Sequence, residues 1–494
     1  MSIRRLTFAA FGVGVSLLVS PCCLAAYDAP NILLILSDDQ GYGDLPMYGN
    51  RFVEAPYLEC FASESVLFRN FHAQPVCSPT RAELMTGRHF LEVGVWGVHG
   101  GRDYLDLDQQ TIANHLSAAG YATAMFGKWH LGKTTAYLPF NRGFDDSWSI
   151  ADRLYEHVDP VFNHNGAEET IVGWTPEILT NLAIEYISRD REQPYFVYVA
   201  YPEVHEPWVA KESLVEKYQA KGLSRSLATV FAMNEQLDSA FGKLIEAVDN
   251  SGKGDETIVL YLGDNGPIYA TSNGLENLTD EEMALRNPEG LRGVKGNLYE
   301  NGLRVPGLVR WTGHFQPRIV DEAADVIDIV PSLLELAGAN SVDVGELRGQ
   351  SLVPLLKNQP GARLDRTVIY GNHETHWRAR KRLYDHLADK QEVDLEKSHL
   401  ALRAGELKLV QINGSRQLFD LSTDPSELND ISSVRQKEFH ALSDQLRKTA
   451  RSIHSSPNSY RMPIFPIGFG GEPTSYVYAC APTRVFGSVE TGSH

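Results

Sequence analysis

Four short apolar segments, each followed by charged side chains, constrain the fold of this chain more than any other feature. The first, ILLIL at residues 32–36, leads into SDDQGYGD without alternation of apolar and polar residues. Similar segments end shortly before Lys128, His205 and Asp264. Unbroken apolar runs are typical of strands buried on both faces, as in a parallel sheet covered by helices. We therefore expect a buried, mostly parallel sheet with polar groups at the strand ends.

Segments between these strands predict helices. TIANHLSAAG ends at Gly120, and DVIDIVPSLLELAG ends at Gly338. TPEILTNLAIEYISRD begins with Thr175 as the expected cap and Pro176 in the first turn. Strand–helix alternation over about 300 residues indicates a doubly wound α/β fold. We expect helices to sandwich a large mixed, mostly parallel sheet.

The composition changes near residue 360. ALRAGELKLVQINGSRQLFDLSTDPSELND predicts short strands with turns at Asn413–Gly414 and Asp424–Pro425, followed by a polar helix to about His454. We expect a smaller antiparallel α+β subdomain here, with a final Pro- and Gly-rich segment as a wrapping tail. The predicted boundaries are 27–365 for the catalytic domain and 366–494 for the C-terminal subdomain.

The first 26 residues have the layout of a secretory signal peptide. An arginine pair at positions 4 and 5 precedes an apolar run and small residues that end at Ala26. The run is short for a membrane span. A twin-arginine signal, a lipid anchor on Cys22 or Cys23 and an uncleaved anchor are alternatives. We expect an exported protein, periplasmic or secreted, with no membrane insertion after signal cleavage.

Net charge and cysteine count narrow the functional classes. A formal charge of −18 argues against a general nucleic-acid binder and fits a protein that offers carboxylates to a cation. Cys60, Cys77 and Cys480 follow the predicted signal. An odd count in an oxidising compartment marks one thiol with another fate. If Cys60 and Cys480 are buried or paired, that thiol is Cys77.

Acidic pairs follow two of the predicted strands. Asp38 and Asp39 come after the first strand, and Asp264 and Asn265 come after a later one. In open α/β sheets, ligands bind at the carboxyl ends of the strands. Either pair alone fits a turn and a helix cap equally well. Together they offer oxygen ligands without imidazole or thiolate, a set that suits Ca²⁺ or Mg²⁺ better than zinc.

Cys77 precedes a predicted helix. Pro79 favours the first turn, so we expect the helix to begin at Ser78 or Pro79, with Cys77 at an N-terminus that favours negative charge. Arg81 lies four positions further on the same face, within reach of an anion beside Cys77. A catalytic thiol of low pKa fits this arrangement too, although it normally needs a histidine base and leaves a Ca²⁺ site unexplained.

The stretch Cys77-Ser78-Pro79-Thr80-Arg81 resembles the C-x-P-x-R core of the formylglycine-dependent type I sulfatases, which are arylsulfatase-like members of the alkaline phosphatase superfamily. GKWHLG at 127–132 is similar to their second signature. The similarity continues in order through both acidic pairs, GVKGNLYENGLRVP, RGQSLVPLL and QLFDLSTDPSE. It implies an alkaline phosphatase-like fold and a separate maturation enzyme that oxidises Cys77 to formylglycine (3-oxoalanine).

The resemblance also implies roles for individual residues of a sulfuric ester hydrolase. The implied cofactors are formylglycine at position 77 and Ca²⁺, with Mg²⁺ as the second choice. The implied metal ligands are Asp38, Asp39, Cys77, Asp264 and Asn265. The implied catalytic residues are Cys77, Arg81, Lys128, His130, His205 and Lys295. The lysines bind sulfate, His130 accepts the proton that triggers sulfate elimination, and His205 donates to the leaving alcohol or polarises it.

The substrate side of the site is less defined. GVWGVHGGRDYLDLD and GNHETHWRARKRLYDH carry the aromatic and cationic groups that a sulfated sugar requires. Trp208 stands where many relatives place a second histidine, which is a departure from the family pattern on the leaving-group side of the site. The candidate substrate-binding residues are His99, Arg102, Asp103, Trp208, His373, His376 and Arg378. A buried tryptophan with a turn at Gly100–Gly101, and a solvated charged helix, explain the two segments equally well.

We expect removal of sulfate from a sulfated polysaccharide or oligosaccharide, because an exported hydrolase implies an extracellular substrate. The order of the motifs resembles sulfatases of marine polysaccharide breakdown, including carrageenan-type desulfation. The expected partners are the sulfated glycan and the maturation enzyme, with no nucleic acid. The alternatives are a general arylsulfatase, a phosphonate monoester or phosphodiester hydrolase of the same superfamily, and a sulfated-glycan binding protein without catalysis.

Overall fold

The structure is a computed structural model that describes residues 29–98, 102–150, 156–339, 346–372 and 395–457, together with the backbone of 463–464 and 477–478. The predicted signal peptide, with Cys22 and Cys23, lies outside these residues. So do Cys480 and most of the predicted wrapping tail.

In the part of the chain that the structure describes, the largest sheet has ten strands and is parallel at its centre. The strands of all the sheets, in chain order, are β1 (Asn31–Ser37), β2 (Val66–Phe68), β3 (Phe71–His72), β4 (Ala122–Lys128), β5 (Asp146–Ile150), β6 (Val161–His164), β7 (Ala167–Thr170), β8 (Tyr195–Ala200), β9 (Thr257–Gly263), β10 (Gly307–Arg310), β11 (Arg318–Val320), β12 (Ala324–Asp325), β13 (Thr367–Asn372), β14 (His399–Ala404), β15 (Leu407–Ile412), β16 (Ser415–Asp420), β17 (Pro463–Ile464) and β18 (Val477–Tyr478). The order in the large sheet is β11-β2-β10-β9-β1-β8-β4-β5-β6-β7. Strands β9, β1, β8, β4 and β5 run parallel, whereas β10, β6 and β7 are antiparallel to their neighbours. The predicted mixed, mostly parallel sheet is confirmed.

Helices cover both faces of this sheet. The α-helices are Pro56–Ser63, Cys77–Thr86, Ile112–Ala118, Thr175–Ile187, Glu212–Gln219, Arg225–Asn250, Asp280–Leu285, Glu300–Leu303, Ile329–Leu336, Val353–Leu356 and Gln436–His454. The 3₁₀ turns are Tyr42–Asp44, Pro46–Tyr48, Phe90–Val93, Thr135–Tyr137, Pro139–Asn141, Gly254–Glu256 and Val326–Asp328. Among the helices described here, none combines the length and the hydropathy that crossing a membrane requires.

Strand β1 shows why its apolar run is unbroken. All of its residues are buried. Ile32, Leu34 and Leu36 face one apolar core, whereas Leu33 and Ile35 face another on the opposite side of the sheet. Burying one such side chain contributes about 1.5–3 kcal/mol to stability. The alternation of side chains along a strand therefore requires apolar residues at every position once helices cover both faces.

Two predicted helix starts differ from the structure by one or two residues. The helix expected to begin at Ser78 or Pro79 begins at Cys77, after an extended Val76. Thr175 is the first helical residue and Trp174 is the cap, so the prediction of Thr175 as the cap was wrong. The Thr175 hydroxyl instead donates to the backbone of a preceding loop, which removes it from a capping role.

The C-terminal part forms a separate antiparallel sheet in the order β13-β14-β15-β16. Strands β15 and β16 are joined at Asn413 and Gly414, whose φ angles are 50° and 85°. Positive φ at both central residues is the requirement of a type I′ hairpin, for which Asn-Gly is favoured. The predicted turn and the polar helix ending at His454 are both present.

Cys60 and Cys77 are both free thiols in the structure. Cys77 is buried, whereas Cys60 lies exposed on the helix Pro56–Ser63. Of the two alternatives considered for Cys60, buried or paired, burial does not hold, because the helix turns this position to solvent. Its pairing with Cys480 involves a residue outside the described part of the chain.

Candidate active site

The carboxyl ends of β1 and β9 place the two acidic pairs side by side. The last residues of these neighbouring strands are in register, so Asp38, Asp39, Asp264 and Asn265 meet at one sheet edge. The Asp39 backbone N–H donates to Oδ1 of Asp264 at 3.1 Å, and the Asn265 amide donates to Oδ1 of Asp39 at 2.7 Å. All four side chains are fully buried.

Several oxygens of this acidic group have no hydrogen-bond donor among the described residues. They are Oδ1 of Asp38, Oδ2 of Asp39 and Oδ1 of Asn265. Burying such oxygens without a partner is costly, and they are the ligand type that hard divalent cations prefer. Ligand atoms of Asp38, Asp39, Cys77 and His205 also lie within 4.8 Å of one another. The donor set therefore fits a divalent ion beside residue 77.

In Asp264, unlike in Asp38 and Asp39, both carboxylate oxygens accept hydrogen bonds from protein donors. Oδ1 accepts from the Asp39 backbone, and Oδ2 accepts from Arg81 at 2.9 Å. Burial, together with the charge of Asp38, raises the pKa of Asp264 to about 7. In this structure the Asp264 carboxyl group therefore serves as a hydrogen-bond acceptor for Arg81.

Cys77 lies in the first turn of the helix Cys77–Thr86, every residue of which is buried. Burial raises the pKa of the Cys77 thiol to about 11, although the charges of Lys295 and Lys128 act to lower it. A thiol with this pKa is protonated at neutral pH, which disfavours the alternative of a thiolate nucleophile.

Arg81 lies one helical turn after Cys77 and is fully buried. Its Nη2 donates to Oδ2 of Asp264 at 2.9 Å and to Oδ2 of Asp38 at 3.3 Å, and Nη1 donates to the carbonyl oxygen of Lys128 at 2.8 Å. Burial acts to lower the pKa of Arg81, but the surrounding acidic groups raise it above its usual value. The guanidinium therefore ties the Cys77 helix to the ends of three strands.

Two ammonium groups face Asp38 and Asp39. Lys128, the last residue of β4, forms an ion pair with Oδ2 of Asp38, and Nζ of Lys295 lies 2.6 Å from Oδ1 of Asp39. Burial acts to raise the pKa of Asp38, but the neighbouring cations, Lys128 first, hold it well below its usual range. Burial acts to lower the pKa of Lys295, but Asp39 raises it well above its usual value. Asp38 and Lys295 are thus both ionised at neutral pH.

His205 turns one ring nitrogen to the acidic centre. Nε2 lies 3.6 Å from Oδ2 of Asp39, and Nδ1 lies 2.6 Å from the carbonyl oxygen of Glu206. Because a carbonyl only accepts hydrogen bonds, this contact selects the tautomer with the proton on Nδ1. Burial and the charges of Lys128 and Lys295 hold the pKa of His205 well below its usual range. The ring is therefore neutral.

His130 is held close to the end of β4 in a left-handed backbone conformation, with φ of 59°. Its Nε2 donates to the carbonyl oxygen of Val98 at 2.7 Å and lies 4.0 Å from Oδ2 of Asp103.

Gly127 permits the close approach of β4 to β8, because a Cβ there would lie 2.0 Å from the carbonyl oxygen of Ala200. Glycine is therefore required just before Lys128 and His130.

His157 supports His205 and was missed by the sequence reasoning. Its Nε2 lies 3.0 Å from the carbonyl oxygen of His205, and its Nδ1 lies 3.1 Å from Oε1 of Glu203. All three side chains are buried. A separation of 48 residues between His157 and His205 leaves no spacing signal by which a sequence pattern could find this pair.

The candidate substrate-binding residues are only partly brought to the site. Asp103 lies beside the His130 ring, and the Arg102 guanidinium lies over the Trp96 ring at 5.7 Å. Trp208 is 1% exposed and packs in an apolar core, so in this structure it does not offer an open ring face to a sugar. The predicted residues outside the described part of the chain are His99, His373, His376 and Arg378.

The fold and this site define a class of protein. A buried centre with acidic oxygen ligands, ammonium groups and imidazole rings at the end of a parallel sheet is suited to the hydrolysis of a charged ester. The Sulfatase family model matches residues 30–339. The model of the N-sulphoglucosamine sulphohydrolase C-terminal region matches residues 294–455.

Known proteins agree with this match. Arylsulfatase A of Homo sapiens is 32% identical over 373 residues, covering 67% of this chain and 69% of that protein. N-acetylgalactosamine-6-sulfatase of Homo sapiens is 28% identical over 383 residues, covering 70% and 69%. The solved structure of Ps i-CgsB in complex with k-i-k-neocarrahexaose aligns with a TM-score of 0.74 at 24% identity, covering 87% of this chain and 94% of that one. The chain therefore belongs to the sulfatase family, within the alkaline phosphatase superfamily, and is a sulfuric ester hydrolase, as the sequence predicted.

Proposed function

We propose that the protein removes sulfate from a sulfated carbohydrate, using formylglycine formed from Cys77 and a bound Ca²⁺ ion. The observation that carries this proposal is the position of Cys77, whose sulfur lies within 4.8 Å of ligand atoms of Asp38 and Asp39. A buried, protonated thiol is a poor nucleophile. Oxidation by a maturation enzyme, as in the family, gives this residue a function that the thiol lacks.

In this proposal the metal is held by Asp38, Asp39, Asp264, Asn265 and residue 77. The oxygens of this group that lack a hydrogen-bond donor among the described residues support the assignment. Their all-oxygen character favours Ca²⁺, with Mg²⁺ as the second choice. Bound there, the ion supplies positive charge that offsets the charge of the sulfate oxygens.

Formylglycine at position 77 supplies, as a hydrated aldehyde, one hydroxyl that attacks sulfur and a second whose deprotonation expels sulfate. The chain holds this residue at a helix N-terminus, where the backbone dipole favours negative charge. Arg81 fixes the helix to the acidic edge through its contacts with Asp38 and Asp264. Its role is therefore to orient residue 77 and to balance the charge of the carboxylates.

Lys128 and Lys295 bind the sulfate oxygens in this proposal. The Lys295 side chain is 13% exposed, whereas that of Lys128 is fully buried. Lys295 is therefore the ammonium group that an entering ester meets, and we place it near the leaving oxygen. Loss of one preorganised donor to developing charge lowers the rate by about 10²–10³-fold.

The two histidines handle protons. His130 accepts the proton whose loss expels sulfate, and His205 donates to the leaving alcohol. The neutral His205 ring presents an acceptor at Nε2, so it must take up a proton before it can donate. A negatively charged sulfate ester beside Nε2 raises the pKa of the ring, so the substrate itself moves His205 toward its donor state.

A carbohydrate ester is the substrate class that we favour. One curated relative is an N-acetylgalactosamine-6-sulfatase. The order of motifs supports a polysaccharide or oligosaccharide, with a carrageenan-like glycan as the narrower proposal. In this reading Arg102 and Asp103 line the sugar side, and the predicted contacts His99, His373, His376 and Arg378 lie outside the described part of the chain.

The domain organisation and location form part of the same proposal. A signal peptide at 1–26 directs the chain to the periplasm or the exterior, where sulfated glycans are found. The catalytic domain spans 27–365, and the subdomain at 366–494 contributes the second substrate-binding segment. The partners are the glycan and, during biosynthesis, the maturation enzyme.

The test measures free sulfate released from a panel of sulfated polysaccharides, each intact and predigested, beside an aryl sulfate and a phosphodiester. The protein is co-produced with a maturation enzyme, and conversion of Cys77 is checked by peptide mass. A protein carrying Cys77→Ala is the control for adventitious hydrolysis. We expect sulfate release from at least one glycan, in the converted protein only.

Other outcomes separate the alternatives. Cleavage of the aryl ester alone leaves a general arylsulfatase and removes the glycan proposal. Faster cleavage of the phosphodiester would identify a phosphodiester hydrolase of the same superfamily. Unconverted Cys77 in protein from the native host, without turnover, would favour a binding protein.

A further inference from the structure

We propose that Asn372, at the end of β13 in the C-terminal sheet, is a positioning residue for Lys295. The inference rests on the proposed role of Lys295 in binding sulfate near the leaving oxygen. It adds that the C-terminal part of the chain sets the position of this ammonium group through one side-chain hydrogen bond.

Lys295 lies on a tight turn. The Asn297 backbone N–H donates to the carbonyl oxygen of Val294 at 2.9 Å, which closes a four-residue turn with Lys295 at its second position. Gly296, at the third position, has a φ of 85°, as a type II turn requires. The turn therefore presents the Lys295 side chain at a corner whose backbone geometry depends on glycine.

Three hydrogen bonds connect this turn to other segments of the chain. The Lys295 N–H donates to the carbonyl oxygen of Pro267 at 2.9 Å, and the Gly296 N–H donates to that of Pro75 at 2.7 Å. Pro267 follows the Asp264–Asn265 pair, and Pro75 precedes Cys77 by two residues. The third bond runs from Nδ2 of Asn372 to the carbonyl oxygen of Gly296 at 2.6 Å.

Asn372 is packed against the turn as well as bonded to it. It is 6% exposed, and a Cβ added at Gly296 would lie 3.4 Å from its Nδ2. The amide therefore occupies the space beside the one residue of the turn that has no side chain.

The end of β13 also forms hydrogen bonds with the segment before Cys77. The Gly371 N–H donates to Oε1 of Gln74 at 3.1 Å, and Nε2 of Gln74 donates to the carbonyl oxygen of Ile369 at 3.1 Å. Gln74 is fully buried. One strand of the C-terminal sheet thus holds both the approach to residue 77 and the turn of Lys295, which fixes their relative positions.

Removing the Asn372 amide leaves the Gly296 carbonyl without its side-chain donor. The turn then relaxes, and Nζ of Lys295 moves from its place 2.6 Å from Asp39. A displacement of about 1 Å at a reacting centre lowers turnover by about 100-fold. We expect kcat on an aryl sulfate to fall by roughly 10- to 100-fold in Asn372→Ala, with a smaller change in KM.

The experiment compares Asn372→Ala and Asn372→Ser with Lys295→Ala and with the double variant Asn372→Ala/Lys295→Ala, all with conversion of Cys77 verified. Gln411→Ala is the matched control. Gln411 is a buried amide of the same sheet whose Nε2 also donates to backbone carbonyls, those of Leu395 and Ser398 at 2.7 and 3.0 Å. Hydrogen exchange of the peptide containing residues 293–297 is measured in every protein.

The result expected is a loss of kcat in both Asn372 variants, no further loss when Asn372→Ala is added to Lys295→Ala, and faster exchange in the turn peptide only. Gln411→Ala should change neither turnover nor exchange in that peptide. Full kcat with unchanged exchange in the Asn372 variants overturns the inference, as does an equal loss in the Lys295→Ala background. If the wild type releases no sulfate, the proposed function fails, while the exchange data still decide whether Asn372 holds the turn.

Discussion

Glu300 offers the sharpest test of how the C-terminal sheet is joined to the catalytic part. Its Oε1 accepts from Nζ of Lys408 on β15 at 2.9 Å, and its Oε2 accepts from Nε of Arg304 at 3.2 Å. The Glu300 and Lys408 side chains are fully buried, and that of Arg304 is 5% exposed. Glu300→Gln keeps the shape of the side chain and removes its charge. Among the described residues, Lys408 then keeps Glu427 as a carboxylate partner at 2.9 Å, and Arg304 keeps the partly exposed Glu289 at 3.4 Å.

The expected magnitude follows from burial. Removing one partner of a buried ion pair costs about 3–5 kcal/mol, because the remaining charge has lost its compensation. Because Lys408 keeps its ion pair with Glu427, we expect the free energy of unfolding at pH 7 to fall by an amount near the lower end of this range. Burial alone would raise the pKa of Glu300, but Lys408 and the other neighbouring cations hold it well below its usual range.

The lowered pKa of Glu300 determines how its contribution to the free energy of unfolding changes with pH. A carboxyl group with a lowered pKa in the folded state stabilises the protein above its ordinary pKa of about 4.3, and this contribution is lost as the pH falls toward the folded-state value. The difference between wild type and Glu300→Gln should therefore be largest near neutral pH and should narrow in acid.

Urea unfolding followed by tryptophan fluorescence measures the difference at several pH values. Glu177→Gln is the matched control, since Glu177 pairs with Lys211 at the surface, where the two side chains are 40% and 38% exposed. Exposed pairs contribute about 0–1 kcal/mol. If Glu300→Gln costs no more than this control, or if its cost is the same at every pH, the buried-charge reasoning is refuted.

Three further predictions concern the active site. Asp264→Ala should abolish turnover and also remove the rise in thermal midpoint that Ca²⁺ gives to the wild type; a Ca²⁺ response that survives would contradict its place at the metal. Cys77→Ser should trap at most one sulfate per site on the serine, with release of one equivalent of the alcohol and no free sulfate, and sustained turnover would rule out the elimination step. The His205 ring should remain neutral as the pH falls through 6.5, because burial and two ammonium groups hold its pKa well below that value; an NMR titration with a midpoint near 6.5 would contradict this.

Local patterns were sufficient for the sheet and for the residues at its edge. Strand β1 is apolar at every position because both of its faces are buried, and this is legible in the sequence. Asp38 and Asp39 follow directly from the end of that strand. The Asn413–Gly414 hairpin was predictable for a similar reason, since few other residue pairs tolerate its positive φ angles.

Long-range contacts were not predictable in the same way. The spacing of Cys77 and Arg81 on one helix face indicated an anion-binding arginine, but it could not show that the guanidinium bonds to the carboxylates of Asp38 and Asp264. Trp208 was a candidate substrate contact, and packing buries it. In each case the neighbours come from distant parts of the chain, so the direction of the side chain depends on a packing arrangement that no local pattern contains.

The sequence by itself determined the class of sheet, the acidic oxygens at its edge and the two signatures that carry the family resemblance, because each depends on residues close together along the chain. Only the tertiary structure decided that His157 supports His205 and that Asn372 reaches Gly296 beside Lys295. The physical reason is that a hydrogen bond requires atoms within about 3 Å. Only the folded path of the chain brings residues separated by 48 and 76 positions to that distance.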